Sequence, residues 1–513
     1  MPRRLRAVLA AVLVVGAVAR VLLVVGAPRF GYAWDHFDIL GMGIVAGQRG
    51  ITRVYSATTE ELPTLRGLVF QNGQQTEIRR RCVHPPNYPP LTQVVFWGQS
   101  WWLGASAPEF VANTPYTRLV TSVVPWLFEL ATALGVAALT RALTGRAAAA
   151  AMAGAVTWLA PPLMMNTALV AQYDALALAP AVFALTALLR GRWLAAGVAI
   201  GLGLLLKPQG LLMLPLAGFA ALVGATDDRA RGLGPTVRRL GLTVGAAALT
   251  LVVGSAPWLL TDGLAWIQRC YRWNLFEVLP FTTLEAFNVW YLVALVTERH
   301  PVYDVLSSTT VVAGLTRDAW GRLLLIAALG ATAALCWVRR REHPALAVVL
   351  FAMVALWSVF MWPTRVHERY LLYCVPAAIA AAAAVPRLRA VVAVLLLVAT
   401  MEHSWMVWRS GPSVGTFDRR SVERFHDERF QAYWKGKTAT MENAMAGPKP
   451  EESKLLAFER HRADRAHTTW LEWALTLLSL GAYAAALRVV ATRAPSDATA
   501  TADGPRHVVL PSA

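Results

Sequence analysis

Long apolar runs separated by short basic segments dominate this sequence of 513 residues. Runs of about 18 or more apolar residues are long enough to cross a bilayer as helices. Only 15% of the residues are charged, against roughly 25% in soluble globular proteins. The sequence therefore predicts an all-α polytopic membrane protein. About twelve spans are expected, near residues 6–27, 118–140, 147–166, 174–189, 193–206, 209–225, 240–260, 321–338, 345–362, 370–385, 387–402 and 469–490.

The basic residues predict the orientation of these spans. Short cytoplasmic loops carry an excess of Lys and Arg, and a cytoplasmic N-terminus puts every short basic loop on the inside. These loops contain Arg141 and Arg146, Arg190 and Arg192, Arg229 to Arg239, Arg339 to Arg341, and Arg387 with Arg389. The net charge of +17 follows from this bias. No nucleic-acid partner is expected, because no basic segment interleaved with aromatic residues is present.

Three longer segments then lie on the outer side, at residues 28–117, 261–320 and 403–468. The first contains Trp97, Trp101 and Trp102, which suit a helix lying at the lipid headgroups. Residues 286–297 are apolar but too short to span, which favours a re-entrant or interfacial helix. We expect a transmembrane module over 1–402, a charged outer loop over 403–468, a last transmembrane helix over 469–490 and a disordered cytoplasmic tail over 491–513.

The cysteines and the glycosylation signals bear on the compartment. Cys82 and Cys270 fall in segments placed on the same outer side, where a disulfide between them is an open alternative. Cys336 and Cys374 lie inside apolar runs and are expected to be core residues. Because no Asn-x-Ser/Thr sequon occurs, the bacterial plasma (inner) membrane is the expected location, with the endoplasmic reticulum membrane as the alternative.

Polar residues gather at the outer ends of the predicted spans. Asp35 and Asp38 follow the first span and, three residues apart, share one helix face. Ionisable groups at membrane depth are costly and therefore suggest function. Each also has a structural interpretation, because a carboxylate can cap a helix and a lysine can reach to the interface. The other candidate residues are Tyr88, Gln172, Asp174, Lys207, Gln209, Asn288, Trp290, Arg365, His367, Glu368 and Arg369.

Six motifs in this order resemble the GT-C superfamily of polyprenyl-phosphate-sugar-dependent glycosyltransferases, most closely relatives of the dolichyl-phosphate-glucose glucosyltransferases. They are Asp35-His-Phe-Asp38, Tyr88-Pro-Pro-Leu91, Gln172-Tyr-Asp174, Leu206-Lys-Pro-Gln209, Asn288-Val-Trp290 and His367-Glu-Arg-Tyr370. They cover about residues 1–402, and Asn87 departs from the Asp that often precedes Tyr-Pro-Pro-Leu. The resemblance implies a GT-C-type bundle that transfers mannose or glucose from a polyprenyl-phosphate donor to a lipid-linked glycan, lipid or protein. Transfer would occur on the extracytoplasmic face, with inversion.

Such a displacement needs a carboxylate base for the acceptor hydroxyl and cations for the leaving phosphate. The resemblance implies Asp38 as the base, with Asp35 as the alternative. The candidates for the phosphate are His367, Arg369, Arg365 and Lys207. Gln172 and Asp174 are expected to hold sugar hydroxyls or to orient the cations. No cofactor is expected, although a divalent metal held by Asp35 and Asp38 stays an alternative. A transporter or lipid flippase is the alternative function, and a non-catalytic assembly subunit is a third.

Overall fold

Most of the described chain is helical. The computed structural model describes residues 3–71, 74–82, 84–224, 233–274, 282–284, 286–297, 310–341, 343–410 and 469–492. The helices in these residues are α1 (Arg3–Phe30), α2 (Trp34–Arg49), α3 (Pro90–Trp102), α4 (Pro115–Thr144), α5 (Ala147–Trp158), α6 (Pro161–Ala168), α7 (Ala175–Leu189), α8 (Trp193–Leu206), α9 (Met213–Gly224), α10 (Gly234–Asp262), α11 (Ala265–Ile267), α12 (Val289–Thr297), α13 (Arg317–Arg339), α14 (Pro344–Met361), α15 (Val375–Ala384), α16 (Leu388–Ser410) and α17 (Thr469–Ala491). The strands are β1 (Thr64–Gln71), β2 (Gln74–Arg81), β3 (Val111–Ala112), β4 (Thr310–Val312) and β5 (Leu315–Thr316).

The predicted all-α polytopic fold is confirmed, and the described residues also form two small sheets. Among the described residues, eight helical segments are long and apolar enough to cross a membrane: Arg6–Phe30, Pro115–Thr144, Ala147–Ala168, Gly234–Asp262, Arg317–Arg339, Pro344–Met361, Leu388–Val407 and Trp470–Ala491. Three shorter apolar segments are Ala175–Leu189, Trp193–Leu206 and Pro208–Gly224. The predicted span at 370–385 is a 3₁₀-helix, Glu368–Cys374, followed by α15. Each predicted span thus coincides with one helix or two consecutive ones.

Prolines divide several of the predicted spans. Pro161 begins α6 and Pro208 begins a 3₁₀-helix, Pro208–Leu212, ahead of α9. Proline has no N–H to donate and is tolerated at the first position of a helix, so it favours a new helix over continuation of the old one. The backbone between α8 and α9 is consequently extended at Lys207. This break places Lys207 at the end of an apolar helix rather than within one.

The first outer segment holds a β-hairpin that the sequence analysis did not predict. β1 and β2 pair antiparallel with Leu65 opposite Arg80, and β3 adds to β1 in parallel. Leu65 and Val69 are buried and alternate with more exposed neighbours, which is the period expected of a half-buried strand. The hairpin lies against α2, because a Cβ at Gly67 would come 2.2 Å from the ring of Phe37. The hairpin therefore becomes part of the surroundings of Asp35 and Asp38.

The central helix of the bundle is α14, which is buried along nearly its whole length. α1 and α10 instead expose large apolar side chains, including Leu22 and Leu260. A helix that is apolar on all sides is expected in the interior, and exposed apolar faces on long helices are typical of lipid contact. The segment at 286–297 forms the short helix α12, and its re-entrant or interfacial position stays a prediction.

The possible disulfide has a clear outcome in the structure, whereas the predictions for the charged outer loop and the tail fall largely outside the described residues. Cys82 and Cys270 are both free and buried, so the possible disulfide between them is excluded. Most of the charged outer loop, residues 411–468, lies outside the described residues, as does the tail from 493 onward. The predictions made for these two segments therefore stay predictions.

Candidate active site

Asp35 and Asp38 lie in the first two turns of α2, where a helix N-terminus favours negative charge. They differ in their surroundings. Asp38 is 4% exposed, whereas Asp35 is half-buried and accepts a hydrogen bond from Nε2 of Gln172. Burial raises the pKa of Asp35 above the usual aspartate value. The Arg369 charge and the hydrogen bond from Gln172 oppose this rise, and the charge of Asp38 adds to it.

Arg80, on strand β2, explains how Asp38 can be buried. Its Nη2 lies 3.8 Å from Oδ2 of Asp38, and its guanidinium stacks on the ring of Trp34 at 3.0 Å from the centroid. Arg80 also donates to the carbonyl of Trp34 at 3.1 Å. His84 Nε2 lies 4.0 Å from the same carboxylate oxygen. Sequence reasoning missed both Arg80 and His84.

Asp174 is the anion of a second buried cluster, at the start of α7. Lys207 Nζ donates to its Oδ1 at 2.5 Å, and the hydroxyl of Tyr373 donates to the same oxygen at 2.6 Å. Asn166 Nδ2 donates to Oδ2 at 3.3 Å, and Arg369 Nε lies 3.7 Å from that oxygen. Lys207 is 4% exposed. Its ammonium therefore pairs inside the protein rather than reaching out to the interface.

The segment His367–Arg369 completes the cluster. Arg369 Nη1 donates to Nδ1 of His367 at 3.0 Å and lies 3.4 Å from Oε1 of Glu368. Burial alone would raise the pKa of Glu368, but the Arg369 charge lowers it to about 2. Burial and the Arg369 charge lower the pKa of His367 to about 4. Because Arg369 donates to Nδ1, His367 is neutral and carries its proton on Nε2.

The backbone around Arg365 is held by the second outer segment. Arg365 has a φ of 63°, an unusual left-handed conformation for a side-chain-bearing residue. Its N–H donates to the carbonyl of Thr282 at 3.2 Å, and Leu284 donates to Val366 at 2.9 Å. Glu368 in turn donates to the carbonyl of Leu284 at 3.2 Å. These bonds place residues 365–368 in parallel register with 282–284.

Asn288 and Trp290 make contacts that stabilise the protein itself. Oδ1 of Asn288 accepts from the N–H groups of Trp290 and Tyr291, at 3.0 and 3.1 Å, so this residue caps α12. The indole N–H of Trp290 donates to the carbonyl of Trp362 at 2.6 Å. Their predicted contact with substrate stays a prediction, and these partners account for the polar groups without a ligand.

Tyr88 and Gln209 line the same region. The ring of Tyr88 lies edge-on to Phe96, with centroids 5.1 Å apart, and the ammonium of Lys207 lies 5.9 Å from the centre of the Tyr88 ring. Gln209 Nε2 donates to the hydroxyl of Tyr370 at 3.0 Å. The structure therefore brings together residues from five of the six motifs. The sixth, Asn288-Val-Trp290, meets them only through the neighbouring backbone.

Several buried polar atoms in this region have no hydrogen-bond partner among the described residues. They are Nδ1 of His84, Oδ1 of Asn87, Oε1 of Gln172, Oε1 of Gln209 and Nε of Arg369. Buried polar groups in native proteins are nearly always paired, with water, ions or ligands where the protein supplies nothing. Asp35, Asp174, Lys207 and Arg369 are also close enough for their charges to interact. The arrangement is thus suited to a polar ligand that both donates and accepts hydrogen bonds.

Metal binding is not evident from the side chains described. Within that part of the chain, no group of three or more His, Cys, Asp or Glu residues is arranged to hold a metal ion. Asp38 is turned instead toward Arg80 and His84. Metal dependence therefore stays open to experiment.

No protein-family model matches this chain, and no curated protein matches it. Similar solved structures include the crystal structure of ArnT from Cupriavidus metallidurans bound to undecaprenyl phosphate. It is 16% identical, with 94% of this chain and 76% of that chain covered and a TM-score of 0.41. Another is the Archaeoglobus fulgidus oligosaccharyltransferase tethered with an acceptor peptide, at 15% identity and a TM-score of 0.37, with 87% of this chain and 60% of that chain covered. Likeness at this level assigns no role to any residue.

Proposed function

We propose that this chain is a GT-C-type membrane glycosyltransferase, which transfers a hexose from a polyprenyl-phosphate donor to an acceptor hydroxyl. The observation that carries the proposal is one half-buried carboxylate, Asp35, whose charge interacts with that of a half-buried cation, Arg369, with an Nε that makes no hydrogen bond among the described residues. A base and a phosphate-binding cation are the two groups that such a displacement requires. Both lie at the ends of apolar helices, where a lipid-linked phosphate would be presented.

Asp35 is the better candidate for the base. The acceptor oxygen would form its bond to the anomeric carbon as its proton passes to a carboxylate oxygen of Asp35. Asp38 was the first choice from sequence, but it is buried against Arg80. Asp38 is 4% exposed and gives an acceptor hydroxyl little access, whereas Asp35 is half-buried. The raised pKa of Asp35 suits it better to general-base chemistry near neutral pH.

The leaving phosphate would be held by Arg369, with Lys207 and His367 beside it. The bond between the anomeric carbon and the phosphate oxygen breaks with its electron pair on that oxygen, so negative charge grows there. Arg369 can stabilise this charge with its Nε, which makes no hydrogen bond among the described residues, and the neutral His367 can donate its Nε2 proton. Lys207 already donates to Asp174 and would act as a nearby point charge. Attack opposite the leaving group inverts the anomeric centre.

The proposals for the sugar, the acceptor and the orientation in the membrane rest on the sequence. The resemblance supports mannose or glucose as the sugar and a lipid-linked glycan, lipid or protein as the acceptor. The distribution of basic loops supports an extracytoplasmic site and a cytoplasmic N-terminus in a bacterial plasma (inner) membrane. The partners this function requires are the membrane, the polyprenyl-phosphate-linked sugar donor and a lipid, glycan or protein acceptor, with no nucleic acid.

The test uses membranes containing the full chain, incubated with labelled polyprenyl-phosphate mannose or polyprenyl-phosphate glucose. Label should appear in a new product with one of the two donors. Asp35→Asn should reduce this transfer by about 10²–10⁴-fold, the usual contribution of a general base. Glu77→Gln, at an exposed carboxylate of the hairpin, is the matched control and should transfer normally.

Two outcomes would change the proposal. Full transfer by Asp35→Asn together with inactivity of a correctly folded Asp38→Asn would exchange the two roles. Movement of intact labelled donor across the membrane, with no cleavage in either incubation, would favour the transporter or flippase and remove the glycosyltransferase proposal.

A further inference from the structure

The first turn of α2, residues 34–38, is held on one side by the helical bundle. Arg118 of α4 donates from Nη2 to the carbonyl of Tyr32, just before the turn, at 2.5 Å. Within the turn, the buried ring of His36 lies 3.3 Å from the hydroxyl of Thr117, also on α4. These contacts fix the turn to the bundle and leave its other side to the hairpin of β1 and β2.

On the hairpin side, a single guanidinium makes the charged contact. Nη1 of Arg80 donates to the carbonyl of Trp34 at 3.1 Å, and Nη2 lies 3.8 Å from Oδ2 of Asp38. The guanidinium also stacks on the ring of Trp34. Two residues further on, the thiol of Cys82 donates to the carbonyl of Phe37 at 3.4 Å. Because Arg80 is buried, its attraction to the carboxylate is screened little by salt.

The two polar contacts of Arg80 lie on either side of Asp35 along the chain. The carbonyl of Trp34 belongs to the peptide unit that joins Trp34 to Asp35, and this unit is planar. A hydrogen bond to its oxygen therefore restrains the backbone from which the side chain of Asp35 projects. Asp38 lies about one turn later on the same face. The N-cap residue, Ala33, has no side chain that could cap the helix, so this turn depends on contacts from outside it.

We propose that Arg80 is a positioning residue for Asp35, which it holds in place through the backbone of Trp34 and the carboxylate of Asp38. That Asp35 receives the acceptor proton rests on the proposed function, whereas the restraint on the first turn of α2 does not. The contacts of Arg80 that carry this proposal are with α2. Its loss should therefore impair the chemical step rather than the binding of the donor phosphate.

Replacement by lysine separates geometry from charge. The guanidinium is a planar fork that can stack and donate to two acceptors at once, whereas the ammonium of lysine is a compact point charge. Arg80→Lys keeps a positive charge beside Asp38 but cannot stack on Trp34 while bonding to both oxygens. Arg79, one position earlier on β2, is exposed and provides the matched control, Arg79→Lys.

Donor titration and turnover of the purified full chain are measured with polyprenyl-phosphate mannose or glucose, whichever supports transfer. Expressing kcat per donor-binding site removes any unfolded fraction. For Arg80→Lys we expect kcat to fall about 10- to 100-fold, because a misplacement of about 1 Å can cost about 100-fold. Donor Kd should stay at the wild-type value. The pH profile of kcat/KM should keep its midpoint, since the charge beside Asp38 is preserved, and Arg79→Lys should match wild type throughout.

Two kinetic results would overturn the positioning role. One is wild-type kcat per donor-binding site in Arg80→Lys, which would show that the fork is not needed. The other is weaker donor binding with unchanged kcat, which would make Arg80 a donor-binding group instead.

Hydrogen–deuterium exchange tests the restraint without any activity. Backbone amides at the start of α2 should exchange faster in Arg80→Lys than in wild type, because a turn with fewer contacts opens more readily. Arg79→Lys should leave this exchange unchanged. Equal exchange in wild type and Arg80→Lys overturns the proposed restraint. Faster exchange in Arg80→Lys, with no glycosyl transfer by the wild type, would contradict the proposed function and leave the restraint on the turn in force.

Discussion

Replacement of Arg369 by glutamine removes the cation on which the proposed phosphate site depends. In the structure this guanidinium lies 3.4 Å from Glu368 and 3.7 Å from Asp174, and its Nε has no hydrogen-bond partner among the described residues. Its donors are therefore not saturated by carboxylates. An arriving phosphate can gain charge-assisted hydrogen bonds without first breaking short ones.

The expected loss follows from those bonds. A hydrogen bond to a charged partner contributes roughly 1.5–3 kcal/mol, so losing one should weaken donor binding by about 10- to 100-fold, at about 1.4 kcal/mol per decade. The same change removes the countercharge of Glu368, which is 1% exposed. Breaking a buried ion pair by removing one partner typically costs about 3–5 kcal/mol of stability. Arg369→Gln is therefore paired with the double variant Glu368→Gln/Arg369→Gln, which leaves no uncompensated charge at this pair.

The assay is titration of purified protein with the polyprenyl-phosphate sugar, after thermal melting has shown that each variant is folded. The double variant should melt closer to wild type than Arg369→Gln does, yet bind donor as weakly. Arg322→Ala, at an exposed arginine paired with Asp318, controls for loss of a surface charge and should change neither property. Wild-type donor affinity in the folded double variant would refute the assignment of Arg369 to the phosphate.

Three further predictions concern pH, packing and metal. Because burial raises the pKa of Asp35 and its charged form is the base, kcat/KM should fall as the pH drops through a value above the ordinary aspartate pKa of about 3.9, measured as a pH profile. Gly43→Ala would put a Cβ 2.2 Å from the carbonyl oxygen of Phe96, and overpacking of this kind costs about 1–3 kcal/mol, visible as a lower melting temperature. Because no cofactor is expected, exhaustive treatment with EDTA should leave transfer unchanged, and restoration by Mg²⁺ or Mn²⁺ after inactivation would show that transfer needs a metal.

The spans could be predicted from sequence because each one carries its own signal. An apolar run such as 345–362 has to be buried in lipid or protein wherever the rest of the chain lies, and it forms the central helix. The hairpin of β1 and β2 was missed for a related reason. Its alternation is confined to one strand, where Leu65 and Val69 flank a glycine, and β2 is mostly polar or charged. Its stability comes from packing on α2, which a local pattern does not reveal.

The partners within the site could not be predicted, because they depend on distances between remote parts of the chain. In the sequence Lys207 was compatible with reaching to the interface and with holding phosphate, and the structure shows a third arrangement, an ion pair with Asp174. Arg79, Arg80 and Arg81 look alike in sequence, and only the strand register directs Arg80 to Asp38. The motif containing Asn288 was found in the sequence, but the sequence did not reveal that Asn288 caps a helix.

The two carboxylates of α2 illustrate how one helical turn can separate two roles. Asp35 and Asp38 share a face, so sequence spacing alone left either as the base. One turn further along, Asp38 lies under the hairpin, where Arg80 keeps it paired and buried. Asp35 accepts from the neutral amide of Gln172 and remains half-buried. A proton accepted by Asp35 would relieve repulsion between the two carboxylates, and Asp35 is also the more accessible of the two, so the chemistry favours the outer residue.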